Sequence, residues 1–122
     1  MLVFGAGAVG LLACMLARAQ GARKVVCVDV NEDRLQFAKA QGFVGLVFNS
    51  ATQGPAPSSP PPPDQTPAEA IVATMERAKS VADRVVEVAG LKSGEGFDVV
   101  FECTGAEPCI QTAVYVRQFF SI

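Results

Sequence analysis

Short apolar runs alternate along the chain with longer segments in which apolar residues recur every three or four positions. A short continuous apolar run is typical of a strand buried on both faces of a parallel sheet, whereas the longer spacing is typical of an amphipathic helix. The pattern predicts strands at 2–4, 24–30, 44–48 and 97–102, and helices at 8–20, 32–41, 67–89 and 108–117. This strict alternation predicts a parallel sheet with right-handed crossovers, which is an open α/β fold.

The apolar spacing also predicts which side of each helix faces the sheet. The third helix has the clearest start, because Thr66 can cap it, Pro67 suits its first position and Glu69 completes a capping box. The predicted inward residues are Val9, Leu12, Met15, Leu16 and Ala19 in the first helix, Leu35, Phe37 and Ala38 in the second, and Ile71, Met75, Ala78, Val81 or Ala82, Val85 and Val88 in the third.

The composition changes abruptly between the third strand and the third helix. Positions 54–63 hold six of the eight prolines of the chain and no charged residue. Because proline has a fixed φ and no backbone N–H, we expect a disordered, exposed loop at about 49–65. Pro57 to Pro60 forms a P-x-x-P sequence of the kind that adaptor domains bind, but the nearest basic residues, Lys39 and Arg77, are distant. A plain loop is therefore favoured.

The 122 residues have the composition of one packed domain, with 50% hydrophobic and 18% charged residues. The ten Lys and Arg residues are scattered and the net charge is −2, so we expect no nucleic-acid partner. The chain contains no histidine, which excludes a Ser-His-Asp or Cys-His nucleophile system and any His-ligated metal. Its four cysteines show no C-x-x-C spacing. We therefore predict no catalytic residue and no metal ligand in this chain.

The first charged residue is Arg18, so the apolar start of the chain lacks the basic segment of a secretory signal. Glycines at positions 5, 7 and 10 also make residues 1–17 a poor membrane span. We expect a cytoplasmic protein that does not bind membranes.

The candidate chemistry lies where the first strand meets the first helix, in the sequence Gly5-Ala6-Gly7-Ala8-Val9-Gly10. This G-x-G-x-x-G pattern follows a predicted strand and opens a predicted helix, and Asp29 ends the next strand nineteen positions after Gly10. That context is typical of the dinucleotide-binding turn of a Rossmann-type open parallel sheet. We predict a partial sheet of this type, with four strands in the order 3-2-1-4 and flanking helices.

Each glycine in this turn has a physical role in binding a dinucleotide. Gly5 allows the tight turn, Gly7 lets a pyrophosphate approach the backbone, and Gly10 lets the helix pack closely on the strand. The pyrophosphate would then meet the free N–H groups of the first helical residues, from Ala8 onward, and the positive end of the helix dipole. The alternative is a glycine turn without a ligand and an aspartate that only caps the chain from Asn31 onward.

Asp29 can accept hydrogen bonds from both hydroxyls of an adenosine ribose. A carboxylate at this position repels the 2′-phosphate of NADP, so NAD is the predicted cofactor. Arg34, early in the second helix, can reach the adenine or the ribose, or it can pair with Glu32 or Asp33 on the surface.

Three runs carry a resemblance to a known family: Phe4-Gly5-Ala6-Gly7-Ala8-Val9-Gly10, then Val-Cys-Val-Asp29 with Asn31 and Arg34, then Phe101-Glu102-Cys103-Thr104-Gly105-Ala106-Glu107. They resemble the cofactor domain of medium-chain, zinc-dependent alcohol dehydrogenases, closest to the sorbitol and xylitol dehydrogenase branch. The resemblance implies an NAD-dependent polyol dehydrogenase, in which zinc polarises a secondary alcohol and hydride passes to the nicotinamide. In that family Val9, Asp29 and Arg34 match positions that contact NAD, and Thr104 lies near the cofactor.

Members of this family also carry a catalytic domain with Cys, His and Glu zinc ligands before the first strand, and further strands after the last helix. We therefore expect residues 1–122 to be a partial cofactor domain without the catalytic zinc domain, inactive on its own, with zinc implied only for the full-length family. The outer edge of the fourth strand would then lack its neighbour, and we expect self-association through that edge. The second function class is a non-catalytic nucleotide-binding or interaction protein that uses the sheet and the proline-rich loop.

Overall fold

The computed structural model describes residues 1–56, 63–92 and 94–117. Strands and helices alternate in these residues in the predicted order. The elements are β1 (Leu2–Phe4), α1 (Ala8–Ala19), β2 (Val26–Asp29), α2 (Glu32–Ala40), β3 (Leu46–Asn49), α3 (Pro67–Val88), β4 (Val100–Glu102) and α4 (Glu107–Val116).

The four strands form one parallel sheet in the order β3-β2-β1-β4. In the middle of β1, Val3 pairs with Cys27 of β2 on one side and with Phe101 of β4 on the other. The chain thus moves outward from β1 to β3 and then crosses back to add β4 on the free side of β1. The strand order reverses at this point, and the carboxyl ends of β1, β2 and β4 meet at one edge. The predicted Rossmann-type sheet of four strands, order 3-2-1-4, is confirmed.

Helices cover both faces of the sheet. Helices α3 and α4 lie on one face, where the core consists of Leu2, Phe4, Val26, Val28, Phe48, Ala82, Val85, Ala89, Phe97 and Val116. Helices α1 and α2 lie on the other face, where the core consists of Val3, Ala6, Cys14, Ala17, Val25, Cys27, Leu35, Ala38 and Val44. Consecutive residues of β1 and β2 point to opposite faces, which explains why both strands are continuously apolar.

The buried side of α1 differs from the predicted one. The structure buries the small residues Gly10, Cys14 and Ala17. The physical reason lies at Gly10, where an added Cβ would overlap the carbonyl oxygen of Gly5. Because the helix approaches the turn so closely, only its face of small residues fits against the sheet. The predicted inward residues, which the structure shows exposed, are Val9, Leu12, Met15, Leu16 and Ala19.

The inward residues of α2 are only partly as predicted. Leu35 and Ala38 are buried, but Phe37 is half exposed. Its ring packs edge-on against Phe43, with the ring centroids 6.0 Å apart. Phe37 therefore lies at the rim of the core rather than inside it.

In α3 only the second half of the predicted stripe faces the sheet. Ala78, Ala82 and Val85 are buried, whereas Ile71, Met75 and Val88 are exposed. The 22 residues of α3 span about 33 Å, whereas strands of three or four residues span only about 10–14 Å. The sheet is too short to cover the whole helix, and every residue from 67 to 77 is exposed.

The fourth strand is shorter than predicted. It begins at Val100, because the chain bends at Asp98, and Phe97 instead forms an isolated parallel bridge with Arg117. The predicted strand is therefore wrong for 97–99.

The segment after β3 forms turns over residues 50–53, and two arginines of α3 hold this segment. Arg77 Nη1 donates to the Ala56 carbonyl at 2.9 Å, and Arg84 Nη1 donates to the Gln53 carbonyl at 3.1 Å. The P-x-x-P sequence at 57–60, and with it most of the predicted proline-rich loop, lies outside the described residues.

The predicted capping box at the start of α3 is confirmed. The Thr66 hydroxyl oxygen accepts a hydrogen bond from the Glu69 N–H at 3.3 Å, and the Glu69 carboxylate accepts one from the Thr66 N–H at 2.8 Å. None of the helices in the described part of the chain combines the length and the apolar character needed to cross a membrane.

Candidate functional site

The glycine turn between β1 and α1 lies at the carboxyl edge of the sheet. Gly5 has a φ of +101°, a left-handed conformation that favours glycine, and its N–H donates to the Val28 carbonyl at 2.7 Å. Gly10 lies against the Gly5 carbonyl with no room for a side chain. These two glycines bring the first turn of α1 directly against the end of β1.

Gly7 has a different environment from the other two glycines. It is exposed, and an added Cβ would meet nothing within 4 Å. It immediately precedes Ala8 and Val9 at the start of α1, where the first turn has no acidic residue and no side-chain cap. Backbone N–H groups and the positive end of the helix dipole therefore face open space. Such an arrangement can bind an anion such as a phosphate.

Asp29, the last residue of β2, is joined to the glycine turn by a hydrogen bond. Its Oδ2 accepts from the Ala6 N–H at 2.7 Å, and its Oδ1 accepts from the Asn31 N–H at 2.8 Å. The second contact is the cap expected if Asp29 had no ligand, and it coexists with the first. Because each carboxylate oxygen can accept two hydrogen bonds, both oxygens retain capacity for a ligand hydroxyl.

Arg34 lies in the first turn of α2, and its side chain is exposed. Its backbone N–H donates to Asn31 Oδ1 at 3.0 Å, so it is linked to the turn after Asp29 through its backbone. The nearby Glu32 carboxylate accepts hydrogen bonds from Asn49 Nδ2 at 2.6 Å and from Gln36 Nε2 at 2.7 Å, which lower the pKa of Glu32. Glu32 is therefore held by amide groups, and the Arg34 guanidinium is left at the surface.

Thr104 follows β4 and lies on the side of the glycine turn opposite to Asp29. Its Cγ2 would be 3.1 Å from a Cβ added at Gly5, which means that Thr104 packs directly against that glycine. Glu102, which the sequence analysis did not include among the site residues, accepts hydrogen bonds from the Thr104 N–H at 2.7 Å, from the Thr104 hydroxyl and from the Gly105 N–H at 2.9 Å. The available sequence signal was the one used for Asp29, a carboxylate that ends a strand next to β1.

A cavity of about 280 Å³ opens at the same edge of the sheet, lined by Val28 and Val30, the residues on either side of Asp29. Its walls include Val30 and Ser50, which follow β2 and β3, together with Arg77 of α3 and Cys109 of α4. Buried Asn49, also missed by sequence reasoning, supports one wall: its Oδ1 accepts from the N–H groups of residues 51 and 52 at 3.0 and 3.3 Å. A mostly apolar cavity thus lies at the end of β2.

The cysteines of this edge are neutral thiols. Cys27 lies behind the glycine turn, where its thiol donates to the Gly5 carbonyl at 3.8 Å. The hydrogen bond with Cys14, followed by burial, raises the pKa of Cys27, and burial raises the pKa of Cys103 and of Cys109. Zinc binds the thiolate rather than the thiol. Within residues 1–56, 63–92 and 94–117, no group of three His, Cys, Asp or Glu side chains could hold a metal ion.

Comparison with known proteins identifies relatives of this chain. The family described as zinc-binding dehydrogenase matches residues 8–58. D-xylulose reductase A of Aspergillus oryzae is 37% identical over 116 residues, which are 95% of this chain and 25% of the relative. Sorbitol dehydrogenase 1 of Saccharomyces cerevisiae is 39% identical over 114 residues, which are 93% of this chain and 25% of the relative.

Solved structures agree with these matches. The crystal structure of a protein described as a zinc-binding dehydrogenase from Clostridium scindens has a TM-score of 0.64 and 25% identity, covering 95% of this chain and 24% of the other. Galactitol-1-phosphate dehydrogenase from Escherichia coli shares the fold, with a TM-score of 0.56 and 24% identity over 95% of this chain and 25% of the other. The chain spans about a quarter of the length of the curated relatives it matches. Over most of its own length the chain is therefore similar to one part of proteins named zinc-binding dehydrogenase, D-xylulose reductase and sorbitol dehydrogenase, which supports the resemblance to zinc-dependent, medium-chain polyol dehydrogenases.

Proposed function

We propose that this chain binds NAD at the carboxyl edge of its sheet and is the cofactor-binding part of a polyol dehydrogenase. The observation that carries this proposal is the 2.7 Å hydrogen bond from the Ala6 N–H to Asp29 Oδ2. It joins a carboxylate directly to the turn in which Gly7 faces open space. A pyrophosphate needs such an open turn and a ribose needs such an acceptor, so a single dinucleotide can use both.

The adenosine half of NAD lies over β2 in this proposal. The pyrophosphate takes the N–H groups at the start of α1, with Gly5, Gly7, Ala8, Val9 and Gly10 forming the turn around it. Asp29 accepts hydrogen bonds from the ribose hydroxyls, and the cavity beside Val30 takes the adenine ring. The carboxylate of Asp29 favours NAD over NADP, since it would repel a 2′-phosphate, and the exposed Arg34 lies at the rim of the same region.

The other half of NAD extends across β1 towards Thr104. NAD supplies the position that accepts a hydride from an alcohol carbon. The relatives are named for D-xylulose and sorbitol, which supports a polyol as the substrate class of the longer protein. The chain has no histidine, and its described residues offer no ligand group for zinc. We therefore expect residues 1–122 alone to bind the cofactor without oxidising an alcohol.

We also propose that the chain self-associates through the outer edge of β4. Phe101 of this strand, which is the last in the described sheet, is 47% exposed, and Val99, which precedes the strand, is 44% exposed. Backbone N–H and C=O groups beside exposed apolar side chains are a template for pairing with another strand.

Isothermal titration of the chain with NAD and with NADP tests the cofactor proposal. We expect NAD to bind more tightly than NADP, and we expect Gly7→Val to abolish NAD binding, because its branched side chain would occupy the space of the pyrophosphate. Gly45→Ala is the matched control, since its added Cβ would meet only the Val25 carbonyl oxygen at 3.8 Å, away from the turn. Unchanged NAD binding by Gly7→Val, with helical circular dichroism intact, would mean that the glycine turn is only structural. Absence of NAD binding by the unmodified chain would favour a non-catalytic interaction protein.

A further inference from the structure

The loop between β4 and α4 is organised by one carboxylate. Glu102 is paired with Phe4 across the sheet, so its side chain starts beside the residue that precedes the glycine turn. Its Oε1 accepts hydrogen bonds from the N–H of Thr104 at 2.7 Å and from the Thr104 hydroxyl, and its Oε2 accepts from the N–H of Gly105 at 2.9 Å. The Thr104 hydroxyl oxygen in turn accepts from the Ala106 N–H at 2.9 Å, and Ala106 is the residue that precedes α4. The Glu102 side chain therefore holds two consecutive residues of the loop directly, and it holds Ala106 through the Thr104 hydroxyl.

This network holds Thr104 against the glycine turn. The Cys103 N–H donates to the Phe4 carbonyl at 2.9 Å, and the Thr104 methyl packs on Gly5. Asp29 does the equivalent on the other side of β1, where it contacts the N–H of Ala6. The glycine turn is thus flanked by two strand-ending carboxylates, one on β2 and one on β4.

We propose that Glu102 is a positioning residue of the dinucleotide site, which fixes the β4–α4 loop where the half of NAD beyond the pyrophosphate lies. The inference rests on the proposed function. Glu102 acts through Thr104 and Gly105 rather than by touching the cofactor, because its oxygens are directed at its own loop.

The ionisation of Glu102 agrees with this role. Partial burial acts to raise its pKa, but the hydrogen bonds from Thr104 and Gly105 outweigh burial and lower the pKa of Glu102. The carboxylate therefore stays charged at neutral pH, and an ionised carboxylate accepts at both oxygens. In Glu102→Gln the amide nitrogen can only donate, so one loop N–H loses its acceptor.

The geometry makes the effect specific for one half of the ligand. Asp29 and the adenosine half lie over β2, whereas Thr104 and the loop lie beside β4, on the opposite side of β1. A variant that loosens only the β4–α4 loop should weaken NAD but not AMP, which contains the adenosine half alone. A variant that damages the fold should weaken both ligands.

The experiment measures dissociation constants for NAD and for AMP by isothermal titration, with thermal denaturation of the ligand-free proteins. Glu102→Gln should weaken NAD roughly tenfold, because a loop N–H is left without an acceptor, and should leave the AMP constant within about twofold. Thr104→Val, which keeps the methyl contact with Gly5 but removes the hydroxyl, should act in the same direction. The matched control is Glu107→Gln in the first turn of α4, which should change neither constant. Within the described residues, the Glu107 carboxylate accepts a hydrogen bond only from the Gln111 amide, at 2.9 Å.

Equal NAD constants for the unmodified chain and for Glu102→Gln would overturn the inference. Equal losses of NAD and AMP affinity in both Glu102→Gln and Thr104→Val would also overturn it, since the role would then be merely structural. If the unmodified chain binds AMP and NAD with equal dissociation constants, the inference fails, whereas the proposed adenosine site is retained. If it binds neither ligand, the proposed function itself fails.

Discussion

Asp29 carries the choice of cofactor at the scale of a single residue. Replacing it by alanine removes the acceptor for the ribose hydroxyls and the negative charge that opposes a 2′-phosphate. We expect Asp29→Ala to weaken NAD binding by about 1–3 kcal/mol. The difference in binding free energy between NAD and NADP should also become smaller, as measured by calorimetric titration with both cofactors. Asp33→Ala is the control, because it removes an exposed negative charge from the first turn of α2, the helix that follows Asp29. Unchanged NAD affinity in Asp29→Ala would remove this residue from the site.

Two glycines of the same turn have opposite tolerance for a methyl group. An added Cβ at Gly10 would overlap the Gly5 carbonyl, whereas an added Cβ at Gly7 would meet nothing within 4 Å. We therefore expect Gly10→Ala to lower the free energy of unfolding by about 1–3 kcal/mol, and Gly7→Ala to leave it nearly unchanged. Thermal and denaturant unfolding of the two variants make the comparison. Equal stability would contradict the close approach of α1 to the turn.

A site residue could be predicted from sequence where it belongs to a short sequence motif. The turn glycines, Asp29 and Thr104 were found from motif and resemblance, and the structure brings the turn, Asp29 and Thr104 together at one edge. Asn49 and Glu102 were missed, because their roles arise from hydrogen bonds to a neighbouring loop or helix. A polar residue at the end of an apolar strand shows its partners only once the fold is known.

At the scale of elements, periodicity predicted the helices better than the sides they bury. The stripe of large apolar residues in α1 is exposed, since contact at Gly10 selects the face of small residues. In α3 the stripe runs the whole helix, but the short sheet covers only its second half. A hydrophobic period identifies a helix, whereas close backbone contacts and the length of the neighbouring strands decide which part of it is buried.

The capping box of α3 yields a prediction for this element. Thr66→Ala removes the hydroxyl that accepts from the Glu69 N–H and should destabilise the start of the helix by about 0.5–2 kcal/mol. Because the first half of α3 is exposed, the loss should appear as faster amide hydrogen exchange in the first turns and only slightly in global unfolding. Thr74→Ala, in the middle of the exposed half, is the control and should not accelerate exchange at the helix start. Equal exchange in Thr66→Ala and the unmodified chain would show that the cap adds no stability.

At the scale of the whole molecule, the sheet ends on β4 in the described residues. The strand order could be predicted from sequence, because the glycine motif within alternating strands and helices is typical of a Rossmann-type sheet. The short extent of β4 could not, because it depends on the bend at Asp98 and on the pairing of Phe97 with Arg117. The resulting edge carries Phe101 on the side of the sheet that α1 covers, since Phe101 is in register with Val3.

This edge leads to the prediction that two copies of the chain associate by pairing their β4 strands. The only charged residue of β4 is Glu102, at its carboxyl end, so little charge protects the edge. A domain of ordinary stability has a free energy of unfolding of only about 5–15 kcal/mol. Burial of the β4 edge in a dimer would increase this free energy. We expect elution volumes in size-exclusion chromatography to depend on concentration, and melting temperatures to rise with concentration.

Phe101→Lys should give a monomer at all concentrations, because a charge on the edge strand opposes pairing, whereas Val72→Lys, on the exposed part of α3, should behave like the unmodified chain. A monodisperse monomer with a concentration-independent, cooperative melt would show that the edge of β4 is not a site of association.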